Sequence, residues 1–323
     1  MSDGAVSERT VSTNGVKLHV LEAGPKNGLP VVLCHGFPEL AYSWRHQLPA
    51  LGNAGYHVIA PDQRGYGQST QPENIEDYDI LHLTGDLVGL LDALDIDKAV
   101  FVGHDWGSMV VWQMALLHPE RVAGVVGMSV PYMPRSPMPP VQLMRQMFAD
   151  NFFYIVYFQE PGVADADLGA DAAKTMRRLL VGASGSDPDA AATMAANDGR
   201  GFVDRIPEPD TLPDWLTQEE LDHYSAEFGR TGFTGGINWY RNLDRNWELT
   251  PQLEGAKVEV PALFIGGADD FVLTMSPPAL MEGWLTDHRG NVIVEGAGHW
   301  VQQEKPDEVN KALLDFLDQL KRP

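Results

Sequence analysis

The sequence predicts an α/β protein, a mostly parallel sheet flanked by helices and interrupted by an inserted helical segment. Three observations predict it. Short β-branched apolar runs recur at residues 31–34, 56–60, 99–102, 122–128, 262–265 and 292–295, with helical stretches between them. The runs are continuously apolar, as strands covered on both faces are. The alternation then lapses between Pro131 and Val258, where no strong strand pattern occurs.

Each element has a local reason. Residues 10–21 hold two short alternating runs around Asn14-Gly15, the dipeptide that favours a tight hairpin. Leu83, Leu87, Leu90, Leu91 and Leu94 line one helical face, as do Val309, Leu313, Phe316, Leu317 and Leu320. The insertion is first proline-rich (Pro131, Pro134, Pro137, Pro139, Pro140), then aromatic (Phe148, Phe152, Phe153, Tyr154, Tyr157, Phe158). Ala, Gly and Asp dominate 163–201, where a mobile loop is expected. The expected organisation is a core built from 1–133 and 246–323 with a helical cap at 134–245.

Composition excludes several classes. The 323 residues are 44% hydrophobic and 21% charged, which is ordinary globular usage. Lys+Arg 23 against Asp+Glu 45 leaves a net charge of −22, which repels nucleic-acid backbones and anionic lipid. The single cysteine, Cys34, allows no internal disulfide and no Cys-rich metal site. The opening MSDGAVSERT has no apolar core, so no signal peptide is expected. The apolar run at 122–133 is too short to span a bilayer. A soluble, cytoplasmic protein is the expectation; a homodimer is admitted, and the oligomeric state stays open.

The chemistry begins at Gly103-His104-Asp105-Trp106-Gly107, where an apolar strand runs into a helical stretch at 109–118. Small flanking residues permit a sharp strand-to-helix turn that presents the central side chain at the sheet edge. That position holds Asp105. An Asp can instead simply cap a helix, but the strand before, the helix after and the flanking glycines favour a nucleophile. A carboxylate that displaces at saturated carbon leaves an ester, and water can hydrolyse it; a serine would leave an ether and stop. The substrates indicated are epoxides and alkyl halides. The strand-end loop Cys34-His35-Gly36-Phe37-Pro38-Glu39 offers the Phe37 N–H as an oxyanion donor, with the Trp106 N–H as the second. His35 and His104 read as structural hydrogen-bonders. His299, in Gly296-Ala297-Gly298-His299-Trp300 after the last apolar run, is the candidate base. Asp269 and Asp270, after the preceding run, are both candidates for the acid that orients it.

The sequence resembles the soluble type of epoxide hydrolase with the α/β-hydrolase fold, over nearly its whole length. Phe153-Tyr154-Ile155-Val156-Tyr157-Phe158-Gln159-Glu160-Pro161-Gly162 and Ile237-Asn238-Trp239-Tyr240-Arg241-Asn242 are similar to the family's two tyrosine motifs. The resemblance implies that Tyr154 and Tyr240 donate to the epoxide oxygen and that Tyr157 only packs. It also implies Asp270 as the acid, a cis bond before Pro38, and Phe37, Trp106 and Trp300 against the substrate. No N-terminal phosphatase domain is expected. Phenols suit the task, because an opening epoxide releases an alkoxide that needs a proton, and phenols stay protonated at neutral pH. The expected activity is hydrolysis of a lipophilic epoxide to a vicinal diol, a detoxification-type reaction, by water and without cofactor or metal. The rivals are a haloalkane or haloacid dehalogenase with the same Asp-His-Asp triad, and a ligand receptor that kept a hydrolase pocket. Trp106 stands where haloacid enzymes place an arginine, which disfavours the former.

Overall fold

The computed structural model describes residues 5–182 and 195–320. Its strands are β1 (Ser7–Thr13), β2 (Val16–Ala23), β3 (Pro30–Cys34), β4 (His57–Pro61), β5 (Ala99–His104), β6 (Val122–Met128), β7 (Ala262–Gly267) and β8 (His288–Val294). They form one sheet in the order β1-β2-β4-β3-β5-β6-β7-β8. Asn14 and Gly15 take φ of 45° and 79°, the turn that dipeptide favours, so β1 and β2 pair antiparallel. β2 also runs antiparallel to β4, and the remaining pairs are parallel.

Strand residues alternate between two cores. Val31, Leu33, Val100 and Val102 pack with Leu48 and Leu51 of α1 (Gln47–Asn53) and with Leu313 and Leu317 of the helix Pro306–Leu320. Val32, Cys34, Ala99 and Phe101 pack on the opposite side with Leu83 and Leu87 of α2 (Ile80–Ala93) and Val110 and Met114 of α3 (Trp106–Leu117). The chain therefore leaves β3 toward one face and the adjacent β5 toward the other. Such a switch point opens a crevice at the strands' C-terminal ends.

Between β6 and β7 the described residues form helices without a strand: Pro140–Met147, Tyr154–Tyr157, Val163–Gly169, Ala172–Arg177, Gln218–Thr231, Thr234–Arg241 and Leu243–Leu249. Two of these dock on the sheet. Tyr224 and Ser43 share a hydroxyl bond of 2.8 Å, and Arg45 donates to Glu220 at 2.6 Å. Gly235 and Gly236 bring the helix Thr234–Arg241 onto the core, since a Cβ there would stand 2.2 Å from the Gly65 oxygen or 2.6 Å from the Phe37 ring. None of the described helices is long and apolar enough to cross a membrane.

Two expectations are corrected. The stretch 163–201 is not simply a mobile loop. Asp171 caps one of its helices by accepting the Lys174 N–H, and Leu168 and Met176 bury themselves from a composition that reads as polar. Residues 183–194 of that stretch lie outside the described residues. β8 starts at His288, ahead of the apolar run, because an edge strand leaves His288 and Arg289 exposed.

The turn between β5 and α3 is tight. Asp105 has φ 52° and ψ −119°, a backbone that costs energy in any residue with a Cβ. A Cβ on Gly107 would sit 2.0 Å from the Cys34 carbonyl oxygen, and one on Gly103 would sit 2.1 Å from the Gly107 oxygen. Gly107→Ala is thus expected to lower stability by about 1–3 kcal/mol, read as a depressed thermal midpoint. Gly169→Ala, with open space around the new methyl, is the control that should barely move it.

Candidate active site

Parallel register brings the ends of β3, β5, β7 and β8 to one edge of the sheet. Asp105 follows β5, the loop 35–39 follows β3, Asp270 lies beyond β7 and His299 beyond β8. Asp105 Oδ1 accepts the Phe37 N–H at 2.9 Å, and Oδ2 lies 3.6 Å from His299 Nε2. His299 Nδ1 faces both Asp270 oxygens at 3.1 and 3.2 Å. Asp270 is buried and also accepts the Val272 N–H at 2.9 Å, whereas Asp269 is exposed. Of the two candidate acids, Asp270 is the one that reaches the imidazole. Ser108 is tucked into the helix, donating to the Val130 oxygen at 2.7 Å. The Phe37-Pro38 bond is cis.

The imidazole is held between carboxylates. Burial works to lower its pKa, but the Asp270 charge and bond and the nearby Asp105 carboxylate outweigh burial, so His299 is raised well above 6.5. Burial likewise pushes the Asp270 carboxyl upward, yet the His299 charge and bond hold it below the usual value.

Above Asp105 lie the aromatics. The Tyr240 ring packs edge-on against Phe37 at 5.4 Å, Trp106 at 5.0 Å and Tyr154 at 5.8 Å. Burial raises both phenols well above 10, and the Asp105 charge adds to it, so both hydroxyls keep their protons. Tyr157 turns elsewhere and donates to Asp167 at 3.2 Å. Trp300 is 2% exposed, and its ring lies 4.7 Å from His299 and 5.7 Å from His104. Its ring thus packs against both imidazoles.

Sequence reasoning missed the layer beneath. Glu39 is fully buried and accepts the Gly36 N–H at 2.8 Å, His104 Nδ1 at 2.6 Å, and the amides of Gln302 and Gln303 at 2.9 and 3.1 Å. Burial alone would raise its carboxyl, but the His104 charge and bond bring it to about 2. His104 Nε2 and Ser129 Oγ both donate to the His299 carbonyl, at 2.7 and 2.8 Å. Glu304 accepts the Gly298 and Trp300 N–H groups at 2.7 and 2.9 Å, bracketing His299 in the chain. His35, as expected, is structural. It donates to the Gly36 oxygen and accepts the Gln63 N–H. The expected structural roles of His35 and His104, and the place of Glu39 at the end of the Gly36-Phe37-Pro38 loop, were the only hints of this layer.

Residues 30–306 match the model of a family described as the alpha/beta hydrolase fold. The chain is 58% identical to epoxide hydrolase A of Mycobacterium tuberculosis, covering 97% of this chain and 98% of that protein. It is 39% identical to the bifunctional epoxide hydrolase 2 of Sus scrofa, covering 94% of this chain but 54% of that longer protein. Among solved structures it is similar to epoxide hydrolase A of Mycobacterium thermoresistibile, with 61% identity, a TM-score of 0.94, and coverage of 97% and 98%.

The electrostatics can be tested directly. Asp105→Ala removes one of the two carboxylates beside His299, so the imidazole pKa should fall relative to the unsubstituted protein. Asp270→Asn should lower it further, because Asp270 is the larger stabilising charge. An NMR titration of the His299 ring reads both; a pKa unmoved by either change would contradict the pairing.

Proposed function

The chain belongs to the epoxide hydrolases of the alpha/beta hydrolase fold, and we propose that it converts lipophilic epoxides to vicinal diols through an ester on Asp105. One observation carries the reading. The carboxylate at the strained turn has a paired imidazole on one side and two protonated phenols in the aromatic layer above it. An alkyl halide needs no proton donor, so the phenols favour an epoxide over the dehalogenase reading. On this reading residues 134–245 cap a core made of 1–133 and 246–323, and the cap supplies the donors.

Two half-reactions follow. Asp105 attacks an epoxide carbon, the ring C–O bond breaks, and its electron pair goes to an oxygen held by Tyr154 and Tyr240. Ester formation removes the Asp105 charge, and with it part of what kept His299 protonated. A phenol gives its proton to the new alkoxide and regains one from solvent, while the imidazolium, no longer beside a charged Asp105, releases its own proton. Neutral His299, oriented by Asp270, next takes a proton from water, whose oxygen adds to the Asp105 carbonyl carbon. The Phe37 and Trp106 N–H groups stabilise the resulting oxyanion, as the Phe37 N–H already does for the resting carboxylate. Collapse breaks the ester, the remaining proton of the added water passes from the re-formed Asp105 carboxyl to the departing alkoxide to give the diol, and Asp105 returns as a carboxylate beside the protonated His299. Water is the only net reagent. No metal or cofactor enters this scheme.

The phenols are tested by Tyr154→Phe and Tyr240→Phe. Each should slow alkylation by about 10–100-fold, since the lost bond is to an oxygen that gains charge only in the transition state. Tyr157→Phe should leave the rate nearly unchanged; if it were the damaging change, the donors would be misassigned.

The ester is tested by His299→Gln. Alkylation needs no base, but hydrolysis does, so this variant should react once and stall. Intact-protein mass spectrometry should then find the epoxide's mass added, and peptide mapping should place it on Asp105. Normal diol turnover with no adduct would point to direct water attack and end the covalent scheme.

A further inference from the structure

Tyr154 and Tyr240 sit on separate short elements that cannot hold their own spacing. The helix Tyr154–Tyr157 is a single turn, too short to be stable alone. Tyr240 is the penultimate residue of the helix Thr234–Arg241. The next side chain, Arg241, is almost fully buried, at 4% exposure. Its Nε donates to the Phe158 carbonyl at 3.0 Å and one terminal nitrogen to the Glu160 carbonyl at 3.2 Å, both just beyond the Tyr154 turn. The same guanidinium grips both oxygens of Asp165, at 2.5 and 3.3 Å, and the Asn238 oxygen at 2.9 Å. Gln159 closes the link from the other side, donating to the Tyr240 carbonyl at 3.0 Å and the Ile155 carbonyl at 2.8 Å. Phe158 packs against both tyrosines, its ring 5.6 Å from Tyr154 and 5.1 Å from Tyr240, while the two tyrosine rings meet each other at 5.8 Å.

We infer that Arg241 is the positioning residue for the two phenols: its guanidinium ties the Tyr240 helix to the Tyr154 turn and so fixes both donors over Asp105. The inference rests on the reading that these phenols hold the epoxide oxygen. The forked geometry is essential to it. A planar guanidinium satisfies two carbonyls and a bidentate carboxylate together, whereas an ammonium on a flexible stem cannot. Displacing a donor by about 1 Å costs up to roughly 100-fold in rate. The effect must fall on alkylation alone, because ester hydrolysis uses His299 and the backbone donors of the core.

The test uses the His299→Gln chain, so that the adduct accumulates, with styrene oxide as the probe and rapid quenching followed by intact mass. Adding Arg241→Met should slow adduct formation by about 10–100-fold, and Arg241→Lys should recover part of the rate. With His299 restored, single-turnover decay of the ester should stay within about two-fold of the parent. Should Arg241→Met fail to fold, Asp165→Asn, which keeps the shape and removes the charge, must show a smaller slowing of the same step. In a Tyr154→Phe/Tyr240→Phe background, Arg241→Met should add nothing. Adduct formation at the parent rate, equal slowing of both half-reactions, or an undiminished further loss without the phenols would each overturn the inference. If the double tyrosine variant itself alkylates at the parent rate, the reading of the phenols has failed instead, and that arm identifies it.

Discussion

The constraint on which the site depends is the backbone of Asp105. A φ of 52° with ψ of −119° is unfavourable for a residue with a Cβ, and it persists because its surroundings leave no alternative. Behind the turn, Gly103 and Gly107 let β5, α3 and the end of β3 approach until no side-chain atom fits. The Asp105 N–H is tied to the Met128 carbonyl at 3.1 Å, and its own carbonyl accepts from Ser108 and Met109 at the start of α3. Two elements thus fix the residue before its side chain makes any contact. What remains free is the carboxylate, which meets the Phe37 N–H on one oxygen and His299 on the other.

That carboxylate belongs to a dense set of buried charges in a protein of net charge −22. Three acids, Asp105, Asp270 and Glu39, lie close behind one another, and two imidazoles are interleaved among them. Uncompensated, such a cluster would be costly to bury. The compensation is specific: His299 is bonded to Asp270 and near Asp105, while His104 is bonded to Glu39. The His104 ring also donates to the His299 carbonyl, so the deeper pair holds the backbone of the outer one. The aromatic ceiling of Phe37, Trp106, Tyr240 and Phe158 keeps the dielectric low, which strengthens these pairings.

What could be read from the sequence follows from how local each signal is. The Asn14-Gly15 hairpin, the strand 122–128 and the glycine-flanked Asp105 turn are written in adjacent residues, and all three occur where expected. The roles of Glu39 and Arg241 are not written that way. Glu39 meets partners 65 and 263 positions distant, and Arg241 meets carbonyls 81 and 83 positions away. A single sequence gives the residue types but not the pairings that only the folded topology brings about. The choice between Asp269 and Asp270 is intermediate. Composition left both open, and burial of one beside His299 separates them. The helices at 163–177 were hidden for another reason: their apolar anchors, Leu168 and Met176, are sparse among small and acidic residues.

The proposed reaction gains coherence from the way one charge biases three groups. The Asp105 carboxylate helps to keep His299 protonated and raises the pKa of both phenols. On the proposed reading this favours the protonated imidazole and leaves both hydroxyls able to donate, which suits ring opening. Once Asp105 becomes an ester its charge is gone, and all three biases weaken together. A phenol then gives up its proton to the alkoxide more readily, and the imidazolium more readily releases its own. The base needed for hydrolysis is therefore produced by the alkylation that precedes it. In the proposed reaction the order of the half-reactions follows from this coupling, which ties His299 in the core and the phenols of the inserted helices to the charge of one carboxylate.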